Sequence, residues 1–201
     1  AFPYLALGAL VTAVVQVTLG GVVRVTGSGL GCPDWPLCDG RVIPVYERSA
    51  LVEFSHRVVA SVVGLLTVSV AIIAVRRFRT ELSVLLPSLL GAFLVLIAAL
   101  LGAIVVWTEL SWWVRLIHLG LAEGVVACLV IVALVGRRTA DPKVRPTLPV
   151  DGRLGMFIVA SLAGVFVLVL SGSYMVGYGA GSSCGTWPLC RGSLLPEGTA
   201  Y

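Results

Sequence analysis

Thr26–Pro44 reads TGSGLGCPDWPLCDGRVIP, and Tyr178–Pro196 reads YGAGSSCGTWPLCRGSLLP. At a constant offset of 152 residues the two stretches share a G-x-G pattern, Cys-x5-Cys, a Trp-Pro-Leu-Cys run, then Gly and Pro. Each follows a long apolar segment, so one unit of helix plus loop occurs twice. The first copy is followed by the most polar part of the chain's apolar sequence; the second is followed by only a few residues.

The 201 residues are 58% hydrophobic and 12% charged, where a soluble domain carries about 25% charge. Five segments are long enough to cross a bilayer core, which takes about 20 apolar residues: 5–25, 50–75, 85–107, 113–135 and 154–178. This predicts an all-α integral membrane protein. A four-helix bundle over 1–140 is expected to be followed, over 141–201, by a linker, the first helix of a second, pseudosymmetric bundle and its cysteine loop. The first segment is too long for a cleaved signal peptide and lacks a basic leader.

The net charge of +4 follows topology and implies no nucleic-acid partner. Arg76, Arg77, Arg79, Arg137, Arg138, Lys143, Arg145 and Arg153 are 8 of the 14 basic residues, on two loops that share a side. By the positive-inside rule that side is cytoplasmic. The cysteine loops then face outward, where disulfides persist. Pairs Cys32–Cys38 and Cys184–Cys190 are expected, with a redox-active dithiol as the alternative. Zinc fits poorly, because structural sites use closer pairs and four ligands. Cys128, alone in the fourth span, reads as a packing residue.

Both histidines of the chain lie inside spans. His56, in LVEFSHRVVA, and His118, in WWVRLIHLGLAEG, each stand about 8–9 Å below the outer end of their helix at 1.5 Å per residue. Two imidazoles at equal depth on parallel helices suit the two faces of a haem. The other reading is a pair of interhelical hydrogen bonds. Small residues below them, Ala60, Gly64 and Ala122, leave room for a flat ring. Gln16, Gly20 and Arg24 form a stripe on the first span. Arg24, Arg57 and Arg115 near the outer boundary are candidates for haem propionates, since guanidinium forks match carboxylates; snorkelling to headgroups is the alternative. Glu53 precedes His56 by three residues and shares its face, in position for proton transfer or for pairing with an arginine. Glu123 is deeper and unassigned, and Ala98 with Gly102 reads as a helix-packing pair.

The run TGSGLGCPDWPLC, then EFSHR in the next span and a histidine early in the fourth, resembles haem A synthase. That resemblance implies a membrane oxidoreductase that converts haem O to haem A by oxidising a methyl group to a formyl group. It implies that His56 and His118 ligate the substrate haem, that Glu53 takes part in the oxidation, and that both cysteine pairs are outer-loop pairs. It further implies haem b as a cofactor in a second half, a prokaryotic cell membrane as location, and an electron donor and a haem O synthase as candidate partners. The family has eight spans, and projecting Glu53, His56 and His118 by the repeat offset reaches about positions 205, 208 and 270. The sequence is therefore expected to be part of a longer chain. A b-type cytochrome for electron transfer and a haem-transport module remain alternatives. Asp34 lacks an acidic counterpart in the second loop, which suggests unequal roles for the halves. The oligomeric state is left open.

Overall fold

The computed structural model describes residues 1–140, 152–180 and 184; Cys190 and most of the second cysteine loop lie outside them. Five helices follow in order: α1 Phe2–Val25, α2 Arg48–Arg77, α3 Leu82–Trp107, α4 Trp112–Ala140 and α5 Gly152–Gly177. All five are long and apolar enough to cross a membrane. All five begin before the expected spans, and α2 and α4 run on into polar ends that include Arg48, Arg77 and Arg137. A helix keeps its backbone bonded through the headgroup region even after its side chains turn polar. The chain divides into two compact units, Ala1–Asp151 and Gly152–Tyr201, and the first contains the candidate site.

In that unit α1 packs on α2, α2 on α3, α3 on α4 and α4 on α1. The four helices close into a ring, with α2 and α4 on one diagonal. The core runs through Ala6, Ala9 and Ala13 of α1, Val63, Val70 and Ala74 of α2, Val84 of α3, and Val125, Leu129 and Val132 of α4. Large apolar side chains such as Leu65, Phe93 and Leu134 are exposed. This pattern, small residues between helices and large ones outside, belongs to a bilayer, where close backbone approach drives association and burying leucine gains little. Gly91 shows the approach most plainly. A Cβ there would lie 3.2 Å from Cys128 Cβ on α4 and 3.7 Å from Thr67 Cγ2 on α2. Cys128 is free and buried, consistent with the packing role expected of it.

Two hydroxyls inside the spans return to their own helix: Ser69 donates to the Leu65 carbonyl at 2.7 Å, and Ser88 to that of Val84 at 2.7 Å. Such bonds let a polar side chain sit where water cannot reach it. The buried Thr67 hydroxyl has no partner among the described residues.

At one end of the ring, residues 26–47 fold over the start of α2. Gly31 presses on the backbone of Ser49 and Ala50, and an added Cβ would collide with the Ser49 carbonyl. The α3–α4 turn covers the loop from the other side. Leu110 Cδ2 would lie 3.0 Å from a Cβ on Gly29, and Trp35 meets Trp107 edge-to-face with ring centroids 6.3 Å apart. Gly31→Ala should therefore cost about 1–3 kcal/mol, the usual penalty of overpacking. Thermal unfolding of the full-length protein in detergent should show a lower Tm, and an unchanged Tm would remove the claim of a tight fit at Gly31.

Candidate functional site

The cysteine loop is a compact cap. Cys32 and Cys38 are joined by a disulfide with Cα atoms 4.6 Å apart, both buried with Ala50 against Phe54. Cys38 and Arg41 exchange backbone hydrogen bonds of 2.9 and 3.1 Å. Between them the chain turns through Asp39 and Gly40 at φ 52° and 69°, a left-handed region that glycine enters freely and aspartate tolerates. Asp34 holds that turn by accepting the Asp39 N–H at 2.6 Å and the Gly40 N–H at 2.8 Å. The acid missing from the second copy thus has a structural task in the first. Cys184 is also in a disulfide; its expected partner, Cys190, lies outside the described residues.

The Gly40 N–H above all, then that of Asp39, holds the Asp34 carboxyl below its ordinary value of 3.8. A carboxylate lowered on folding stabilises the fold at neutral pH and stops doing so as pH falls below its ordinary value and through the folded one.

Glu53 and Arg57 are one turn apart on α2 and pair at 2.6 Å. Glu53 is buried. Its second oxygen accepts the backbone N–H of Cys32 at 2.9 Å. The carboxylate, expected to face a ring bound at His56, is thus turned toward the loop. Arg57 gives the rest of its terminal N–H groups to the carbonyls of Cys32 at 2.8 Å, Asp34 at 2.8 Å and Leu37 at 2.7 Å. Arg57 was expected among three arginines open to anionic groups; its terminal donors are instead engaged by the loop. The i, i+4 spacing of Glu53 and Arg57 was the sequence signal for this pair.

Arg24, at the end of α1, and Arg115, at the start of α4, are near enough to sense each other's charge. The Arg115 Nε is buried with no partner among the described residues.

His56 on α2 and His118 on α4 occupy the diagonal positions and interact electrostatically. The helices between them meet the imidazoles with glycines. A Cβ on Gly20 of α1 would lie 3.2 Å from His56 Cε1, and one on Gly102 of α3 would lie 3.6 Å from His118 Cε1. Gly102 is thus apposed to a histidine as well as sitting in a packing stripe with buried Ala98. His118 Nδ1 is buried without a partner among the described residues. The Gln16 amide nitrogen lies 3.1 Å from both ring nitrogens of His56, a contact that the stripe pattern did not reveal. At Gly64, below His56, an added Cβ would meet nothing within 4 Å. Glu123 is half-buried. Two neutral-capable imidazoles on diagonal helices, each beside a glycine, are a donor set whose chemistry suits a metal macrocycle; among the described residues no group of three or more His, Cys, Asp or Glu could hold a bare metal ion.

The chain matches the COX15-CtaA family, described as cytochrome oxidase assembly protein, over residues 3–51 and 45–201. It belongs to that family. Among its relatives, the "Heme A synthase" of Symbiobacterium thermophilum is 36% identical over 191 residues, covering 90% of this chain and 61% of that protein. That of Exiguobacterium sibiricum is 31% identical over 182 residues, covering 89% and 60%. That of Geobacillus kaustophilus is 30% identical over 189 residues, covering 92% and 59%. This COX15-CtaA chain therefore spans about three-fifths of the length of these relatives.

The Asp34 clasp gives a direct prediction. Asp34→Ala should speed reduction of the Cys32–Cys38 disulfide at pH 7, measured by alkylation of the freed thiols. The gap from the parent protein should close once the pH falls through the lowered value of Asp34. Equal rates at pH 7 would show that the clasp does not hold the loop.

Proposed function

We propose that this chain carries the substrate-haem site of a haem A synthase, with haem O held between His56 and His118 and a methyl group of the ring oxidised to a formyl group. The observation that carries the reading is the opposed histidine pair on diagonal helices, each lined by a glycine, in a chain similar to proteins named for haem A synthesis. His118 offers an unpartnered nitrogen, and His56 offers one once the Gln16 amide yields.

His56 and His118 would hold the ring from α2 and α4, and the glycines would let it approach the α1 and α3 backbones. Arg24 and Arg115, on adjoining helices at the loop end, are the residues we assign to the propionates, where a guanidinium would pair two oxygens at once. Converting the methyl to a formyl group with water as the oxygen source would remove four electrons and four protons, the electrons passing to a redox partner outside this chain. Oxidation of a methyl group releases protons, and Glu53, one turn before His56 and already ionically paired, is the group of this chain proposed to take them. Arginines cluster on the opposite end, so the cysteine loop is assigned to the outer face of a prokaryotic membrane. A haem b would need ligands of its own, because both histidines of this sequence are assigned to the substrate.

In the full-length protein, His56→Ala or His118→Ala should abolish the low-spin absorption spectrum of a bis-histidine haem and stop haem A formation. Glu53→Gln should keep haem O binding within about twofold while slowing conversion by at least about tenfold, the usual range for a lost proton-transfer group. Extraction and chromatography of the pigments decides between readings. Haem O and oxidised products support the synthase; haem b alone, unchanged by turnover, would favour an electron-transfer cytochrome and overturn the proposal.

A further inference from the structure

Arg57 adjoins His56 in sequence, but its head group belongs to the disulfide loop. One terminal nitrogen donates to the carbonyls of Asp34 and Leu37, and the other to the carbonyl of Cys32 and to Glu53 Oε1 at 2.6 Å. The other oxygen of Glu53 takes the Cys32 N–H. Cys32 is thus held at both its N–H and its C=O by one ion pair. The three carbonyls all lie within the ring closed by the Cys32–Cys38 bond, and the guanidinium is largely buried, with 15% of its side chain exposed.

We propose that Arg57 is a positioning residue that makes the disulfide loop and Glu53 one mechanical unit. The closed loop sets three carbonyls in the arrangement that orients the guanidinium, and the guanidinium in turn orients the carboxylate. The coupling runs both ways, because a pair that holds the loop closed is itself held by the closed loop. A planar fork is required. Lysine carries its three donors at a single point and cannot span acceptors this far apart. Arg57 is therefore separate from the propionate-binding arginines and acts on the reaction only through Glu53. This rests on the proton-handling role given to Glu53, but its structural half can be measured without haem.

The test uses the full-length protein in proteoliposomes, as Arg57→Lys and Arg57→Gln beside the parent. Reduction of the loop by a membrane-impermeant phosphine is followed by mass tagging of Cys32 and Cys38. Haem O titration by absorption spectrum and conversion to haem A are measured in parallel. Arg57→Lys keeps the charge and is the variant most certain to fold. It should speed reduction about tenfold, as expected when hydrogen bonds to a charged group are lost. It should also leave haem O affinity within about twofold and lower turnover by about tenfold. Unchanged reduction with weakened haem O binding would make Arg57 a ligand-binding residue and overturn the proposal, as would variants indistinguishable from the parent in every assay. If the parent itself converts no haem O, the reading of the site fails, while the reduction rates still decide whether Arg57 clamps the loop.

Discussion

The four terminal N–H groups of one guanidinium set the loop end of this bundle. A buried ion pair is costly unless its remaining donors and acceptors find partners. Here they do, because the disulfide ring turns three carbonyls toward Arg57 and one N–H toward Glu53. Without the ring the pair would be a desolvated charge couple near a membrane boundary; without the pair the ring would have backbone groups unbonded beneath it. Each makes the other affordable, and the neighbouring contacts of Gly31, Leu110 and Trp107 close around the result.

From that cap downward, the molecule is organised by what a bilayer rewards. Alanine, glycine and valine fill most of the space between helices, with Phe2 and Leu129 among them, while many leucines, valines and phenylalanines are exposed. The same preference for small residues serves the site. Gly20 and Gly102 allow close approach between helices, and each lies against an imidazole.

The helices, and the position of both histidines within them, were legible because they rest on composition and period. Apolar runs above twenty residues have few alternatives, and depth along a helix is arithmetic. The orientation of Glu53 was less legible. Its three-residue spacing from His56 pointed toward a ring, but its four-residue spacing to Arg57 and the reach of the Cys32 N–H won, and that competition depends on how the loop folds back. Gln16 against His56 is a contact between helices, which periodicity along one helix does not reveal. Asp34 was read by its absence from the second copy; its work in the turn at Asp39 and Gly40 became visible only with the backbone angles.

The placement of α1 and α3 between α2 and α4 gives the two flanking helices a part in holding the histidines. Gln16 and Gly20 of α1 both lie against the His56 ring, and Gly102 of α3 lies beside that of His118. In the proposed site, a substitution on α1 or α3 would therefore alter the fit of a ligand's rim and the setting of an imidazole together. Selectivity and attachment would be coupled, so neither could drift in sequence alone.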